Sequence, residues 1–260
     1  MKQLIPKIAT LAWVLFFAFV VTAIKYITIV YGFEPVQFSA ILGSMISADI
    51  FLLGFMLTGV LTDYKEAERI PDEIAVSVEA IFDQCFTTYK RTKDKHCLEF
   101  IQTLFAFIKL LKKWFTKRIH TREIMYALNN FNEHILKIES LTSPTFIGRI
   151  KKENSNLRRQ LLRAYSIREK QFLGASHTII LLSLAFVLVN LVLTKYADTF
   201  EAMFYVFGFS AIFIFVVKLI YDLDNPFDYY SIMSRYKDEV SLQSLDDLNK
   251  RITGELRFLK

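Results

Sequence analysis

An all-α protein that crosses a membrane four times is the fold class this sequence predicts, on three observations. The chain of 260 residues is 53% hydrophobic and holds 25 Phe, yet 22% of it is charged. That mixture is odd for a soluble domain and ordinary for a membrane protein whose charges lie outside the bilayer. Only 8 Gly and 5 Pro leave little room for turn-rich β structure. Third, uncharged apolar runs reach the roughly 17–25 residues needed to cross a bilayer.

The first such run extends from Ile8 to Val30, interrupted by Lys25, whose ammonium is expected to snorkel to the surface. A secretory signal would have a shorter apolar core and a small-residue cleavage site, and neither follows Leu15–Val21. The second run covers Phe38 to Thr62, the third Phe172 to Leu193 and the fourth Ala202 to Tyr221, with Lys218 able to snorkel near its end. Nearly all cationic residues fall at Lys2 and Lys7, in the long middle segment and in the tail. The short connections near Gly32–Gln37 and Lys195–Glu201 carry mostly acids. By the positive-inside rule both termini and the middle segment are cytoplasmic, in an inner or plasma membrane. The expected organisation is therefore spans 1 and 2 in 1–62, a cytoplasmic helical region in 63–171, spans 3 and 4 in 172–222, and a cytoplasmic tail in 223–260.

The middle segment reads as helices throughout. Leu98–Phe115 is apolar enough to suggest a fifth crossing, but Glu99, Gln102, Lys109, Lys112 and Lys113 interrupt it. It is expected to be a core helix, with Lys112, Lys113 and Trp114 resting on the membrane surface. Pro71 precedes a run with Ile74, Val76, Val78, Ile81 and Phe82 near helical spacing. Thr121 is the expected cap of a later helix, Ser143–Pro144 supplies an N-cap and N1 proline for another, and a last helix follows Ser241 or Ser244. The helix through Leu157, Leu161, Leu162 and Tyr165 is expected to run straight into the third span.

Several functions lack support. A net charge of +6 without a reading motif does not indicate nucleic acid, and topology accounts for the excess. Cys85 and Cys97 suggest no disulfide framework. His96, Cys97, His120 and His134 match no zinc spacing, and a bland surface or core role is expected. His177 is expected to be packed or hydrogen-bonded in the bundle. No nucleophile elbow, P-loop, dinucleotide fingerprint or metalloprotease motif is present, so no enzyme is expected.

The second span carries the most informative pattern. At 100° per residue one face gathers Ala40, Gly43, Ser44, Ser47, Phe51, Gly54, Phe55, Thr58 and Thr62. The other collects Leu42, Met45, Ile46, Ile50, Leu53, Met56, Leu57 and Val60, with Asp49 among them. Two readings of the first face compete. Small residues let helices approach closely. Alternatively the face is a pore wall, with hydroxyls meeting water and Phe51 and Phe55 forming a hydrophobic constriction. Asp49, near mid-membrane, is either functional or buried against another helix and paired with Lys25 or a hydroxyl such as that of Tyr205.

The stretch FLLGFMLTGVLTDYKEAERIP (51–71) is similar to the second transmembrane helix of bestrophins, pentameric anion channels. After the fourth span comes YDLDNPFDYY, whose Asn225-Pro226-Phe227 looks like the bestrophin tripeptide at that place. It resembles still more the L-D-x-P-F signature of the bacterial bestrophin-like proteins, and the order of spans and segments also fits. The resemblance implies a homo-oligomer, a pentamer, conducting chloride or other small monovalent ions along the second span. Ser47, Phe51 and Phe55 match the neck positions, with Thr58 and Thr62 beyond; Ser47 is polar where the family has an aliphatic. Asp63 and Tyr64 replace the family's arginine and tryptophans. Asp63 and Glu66 at the cytoplasmic exit would favour cations, whereas anions follow from the resemblance. No cofactor is expected; calcium enters only through the resemblance, with Asp222, Asp224, Asn225 and Asp228 as the acidic motif. Ca²⁺ takes six to eight oxygens, and a turn and cap role for Asp224-Asn225-Pro226 is favoured. The competing function is a non-conducting membrane scaffold or regulatory protein whose stripe is packing surface.

Overall fold

In the computed structural model the described residues are 4–37, 39–116, 118–169, 174–224, 226–227 and 240–257. Their elements run α1 (Leu4–Val30), β1 (Val36–Gln37), α2 (Ala40–Thr92), α3 (Lys95–Phe115), α4 (Thr121–Ile138), a 3-10 turn (Glu139–Leu141), α5 (Pro144–Glu169), α6 (Gly174–Leu193), β2 (Thr194–Lys195), α7 (Thr199–Leu223) and α8 (Gln243–Arg257). The chain divides into two compact units, the first from the described residues of 1–64 and 171–225, the second from those of 65–170, 226–230 and 239–260. The all-α expectation holds, with one addition: β1 and β2 pair in parallel, Val36 with Thr194 and Gln37 with Lys195. Two residues per strand carry no periodicity, so the pairing has no sequence signal.

In the first unit, α1, α2, α6 and α7 have the length and apolarity expected of buried or lipid-facing helices. By length and composition Ala9–Val30, the helix Ala40–Thr92 and Thr199–Leu223 are each sufficient to cross a membrane; the described apolar part of α6, His177–Leu193, is shorter. The unit's core joins Leu53, Met56 and Val60 of α2 to Ile180, Val187 and Leu191 of α6 and to Val206, Phe213, Val217 and Ile220 of α7. Lys25 does not snorkel. It is fully buried, because two backbone carbonyls and a carboxylate offer its ammonium a complete set of acceptors inside the fold.

The second unit is a helical bundle with its own core. α3 contributes Phe100, Ile101, Leu104, Phe107, Ile108 and Leu111, all buried, in agreement with a core helix. Trp114 departs from the expectation of membrane-surface contact. It is 1% exposed, its indole N–H donates to Thr121 Oγ1 at 3.1 Å, and the Arg168 guanidinium lies 4.6 Å over its ring. Arg168 also donates to the Trp114 carbonyl (3.0 Å) and to Thr121 Oγ1 (2.9 Å), so the three side chains form one polar knot. Lys112, too, is engaged within the unit, in an ion pair with Asp246 of α8.

Helix boundaries bear out some expectations and correct others. Pro144 opens α5, and Ser143 Oγ accepts from the Phe146 N–H at 3.4 Å, as an N-cap should. Thr121 is not a cap: the cap of α4 is His120, whose N–H donates to Glu123 Oε1 at 3.3 Å. Thr121 is drawn away because its hydroxyl accepts from Trp114 and Arg168. Pro71 does not open a helix either. It sits inside α2, which runs unbroken for 53 residues, and it is buried there. A proline in a helix interior removes one backbone hydrogen bond and clashes with the preceding turn; here buried Ala67, Ile70 and Ile74 pack around that defect within the core. The expected junction of α5 with α6 lies at 170–173, outside the described residues.

His134 illustrates how the bundle uses a titratable group. Its ring stacks on Phe100 at 5.2 Å, and Nε2 lies 3.0 Å from Thr103 Oγ1, while Nδ1 is buried with no hydrogen-bond partner among the described residues. Burial, and then the nearby Lys137 charge, hold its pKa below the ordinary value of 6.5. A lowered folded-state pKa means protons bind the unfolded chain more readily. The contribution is fully present above the unfolded value and is lost as pH falls through the lower folded one. We expect His134→Phe, which keeps the stack, to flatten the loss of stability between pH 6.5 and the acid limb, as measured by chemical unfolding at a series of pH values.

Candidate functional site

The candidate site is the face of α2 that turns away from the core. Ser44, Ser47, Phe51, Gly54, Phe55, Thr58 and Thr62 are all exposed, Phe51 at 77% and Phe55 at 71%. On the opposite face Leu42, Leu53, Met56 and Val60 are buried. The heptad-like alternation of small or hydroxylated residues with large aliphatics therefore fixes the rotation of the helix about its own axis. Leu53, Met56 and Val60 meet α6 and α7, whereas the stripe from Phe51 to Thr62 is exposed among the described residues. A Cβ built at Gly54 would find no atom within 4 Å. Packing within the subunit, as an account of the stripe, is thus set aside.

The hydroxyls on this face are already partly satisfied. Ser47 Oγ donates to the Gly43 carbonyl at 2.9 Å, Thr58 Oγ1 to Gly54 at 2.9 Å and Thr62 Oγ1 to Thr58 at 2.8 Å. Ser44 Oγ does the same toward Ala40 at 2.7 Å. Each hydroxyl proton is spent on the preceding turn, leaving oxygen lone pairs facing outward. Phe51 and Phe55, about 6 Å apart in rise, stand clear of that polar background as two exposed apolar rings per chain.

Beyond Thr62, Glu66 is held by the Arg163 guanidinium, with Nε–H donating at 2.5 Å and Nη2 contacting the second oxygen. That hydrogen bond holds the Glu66 carboxyl below the usual carboxylate range. Its charge is offset locally, so the expected cation preference at this position is weakened.

Asp49 is not paired with Lys25 or with Tyr205. Its Oδ1 accepts from Ser183 Oγ of α6 at 3.0 Å, and Oδ2 is buried with no partner among the described residues. Lys25 is held elsewhere: its ammonium donates to Glu34 Oε1 at 2.5 Å, to the Thr194 carbonyl at 2.6 Å and to the Val192 carbonyl at 3.2 Å, and lies 5.0 Å over the Tyr196 ring. Sequence inspection missed this clamp because its acceptors are backbone atoms some 167 residues away. The signal that was available is Glu34, the acid nearest Lys25 in the adjoining loop.

The acidic motif splits. Asp222 pairs with Lys218 at 2.5 Å, and Asp224 lies 3.2 Å from His177 Nε2, with His177 stacked on Tyr221 at 4.8 Å. Asn225 and Asp228 lie outside the described residues. Each of the two described carboxylates therefore turns to a nitrogen partner. Phe227, from the same motif, is fully buried against Phe115 at 5.4 Å.

No protein-family model matches the chain, and no curated protein does so by sequence. Solved structures do match by fold. One variant of a bacterial bestrophin homolog from Klebsiella pneumoniae superposes with a TM-score of 0.75 at 14% identity, over 94% of this chain and 98% of that one. A second variant of that homolog gives 0.76 at 14% identity, over 92% and 97%. A third gives 0.72 at 15% identity, over 94% and 97%. The chain therefore has the fold of a bacterial bestrophin homolog along almost its whole length, which agrees with the resemblance read from residues 51–71 and 221–230.

The Lys25 clamp yields a direct expectation. Lys25→Met leaves the Glu34 carboxylate, 15% exposed, beside two carbonyls without a cation. Breaking a buried pair from one side costs about 3 kcal/mol, whereas replacing both partners by apolar groups is close to neutral. Lys25→Met should destabilise by about that much, and Lys25→Met with Glu34→Leu should recover most of the loss, read by denaturant titration of the detergent-solubilised protein.

Proposed function

We propose that this protein is an oligomeric ion channel, with one α2 helix from each copy lining a central pathway. The observation that carries the reading is the exposed stripe from Ser44 to Thr62, turned outward while Leu42, Leu53, Met56 and Val60 of the other face are buried. Two large aromatic side chains at 77% and 71% exposure, set among hydroxyls, suit a narrow aqueous passage better than lipid contact. One chain has too few helices around the stripe to enclose a pore, so a ring of copies is needed, and the likeness to a bestrophin homolog favours five.

The reading includes four spans, α1, the first half of α2, α6 and α7, with both termini and the helices between α2 and α6 in the cytoplasm. The loop charges support that orientation. Neither catalysis nor a bound cofactor has a part in it. Small monovalent ions are the cargo, chloride by the family resemblance. The offset of the Glu66 charge by Arg163 removes one argument for cations.

Phe51 and Phe55 form the barrier in this mechanism. Water held between rings of phenylalanine loses hydrogen bonds and tends to leave, so an ion meets a dewetting barrier at the neck. Thr58 and Thr62 then offer lone pairs below it.

The test is reconstitution in planar bilayers under asymmetric salt, where the reversal potential gives the ion's sign. Phe51→Ala and Phe55→Ala should each raise the conductance several-fold with the oligomer intact by native mass spectrometry. Leu53 is not a usable control, being 2% exposed and packed in the core, so truncating it should cost about 2–5 kcal/mol. Phe204 on α7, 67% exposed, is the proper control and should change neither current nor assembly when replaced by Ala. Silence from wild type and both neck variants, with the oligomer preserved, would end the channel reading in favour of a non-conducting scaffold.

A further inference from the structure

A cavity of about 510 Å³ opens in the first unit between the start of α2, the end of α6 and the start of α7. Its depth is hydrocarbon: Leu42, Ile46 and Ile50 from α2, Leu191 from α6, Phe209 and Phe213 from α7. Of its polar lining residues Thr194, Tyr196 and Tyr205 lie where α6 stops and α7 begins, and Ser47 lies on α2. Tyr196 lies in that connection and Tyr205 in the second turn of α7, their rings 6.4 Å apart. Of the lining hydroxyls, Thr194 Oγ1 donates to the Asn190 carbonyl at 2.6 Å and Ser47 Oγ to the Gly43 carbonyl at 2.9 Å, and the two tyrosines supply the others. A cavity lined this largely by hydrocarbon does not hold water well and takes an apolar occupant.

We propose that this cavity binds the acyl chain of a membrane lipid, with the ester end of the lipid at the tyrosines. The inference rests on the membrane-spanning part of the function proposed above. Tyrosines collect at the level of lipid headgroups, where a polar tip meets an apolar body. From Tyr205 to Phe213 the helix rises about 12 Å, so the apolar slot runs inward from that level along the direction an acyl chain takes. The volume lies within the roughly 300–1,000 Å³ of ordinary ligand pockets. Ile50, Tyr205 and Phe209 are themselves exposed, so the slot is continuous with the open apolar flank of α7. Because Gly43 and Ser47 belong to both the slot and the candidate pore face, a bound chain braces α2 from behind.

The experiment uses full-length protein in vesicles containing phosphatidylcholine with a photoreactive diazirine in mid-chain, followed by peptide mapping. Adducts are expected on residues 42–50 and 205–213 at several-fold the density found at Phe16 and Phe19, exposed lipid-facing positions of α1. Excess palmitic acid should suppress the cavity adducts and spare those on α1. Ile46→Trp, which fills the slot, should lower labelling at Phe209 and Phe213 at least fivefold. Equal labelling of cavity and α1, insensitive to palmitic acid, would overturn the proposal. So would a cavity protected in the intact oligomer while α1 is labelled, because a neighbouring copy would then be the occupant. Absence of adducts on α1 as well would remove the membrane reading itself, and the lipid site with it.

Discussion

The burial of Leu53, Met56 and Val60 against α6 and α7 sets the rotation of α2, and much else follows from that rotation. A helix with 3.6 residues per turn has no freedom to present Phe51 and Phe55 inward once those three aliphatics are inside. Ser44, Ser47, Phe51, Gly54, Phe55, Thr58 and Thr62 are consequently delivered to the outer surface of the subunit. The hydroxyls tolerate this because each closes onto its own preceding turn, so the stripe is stable in a dry or wet setting alike. The candidate face is thus a by-product of core packing on the other side of the same helix.

A second constraint acts at the end of the spans where β1 and β2 pair. Lys25 places a full positive charge where no water reaches it, and the fold answers with Glu34, two carbonyls and the Tyr196 ring. These partners come from two separate stretches of chain, Glu34 and 192–196. The ion pair therefore ties the loop that leads into α2 to the turn between α6 and α7, and the two-residue strands lie beside it. Glu34 and the ladder residues stand close ahead of Ala40, so the start of α2 inherits its placement from this clamp.

The large features were legible because they are written in periodicity. The all-α class, the core role of α3, the N-cap and proline at Ser143–Pro144 and the two faces of α2 each rest on spacing or a local cap, which a single sequence displays. The failures share a different cause. Lys25 reads as a snorkelling lysine unless the carbonyls of Val192 and Thr194 are known to be adjacent. Trp114 reads as an interfacial aromatic unless Arg168 and Thr121 are known to meet it. Pro71 reads as a helix start because proline favours the first turn, and only the surrounding core makes its interior position tolerable. Leu53 reads only as part of an apolar face, since hydropathy does not distinguish a side chain facing lipid from one facing another apolar helix. Asp49 was recognised as anomalous, but its partner Ser183 lies in a run of small and aliphatic residues that gives no hint of pairing.

The Lys25 clamp also constrains how the chain is made. In the membrane reading, a lysine in the first span enters the bilayer long before the carbonyls that finally hold it exist. Val192 is 167 residues further on, and at about 5–20 residues per second that is a delay of about 8–30 s. A lone lysine is disfavoured by about 2.5–3.5 kcal/mol at the centre of a span and by less toward its end, where Lys25 lies. Glu34 follows only nine residues later, so the charge can travel with its counter-ion from the moment the first hairpin emerges. The salt bridge thus acts first as a chaperone for its own helix, and becomes a structural joint only when the second pair of spans arrives to complete it.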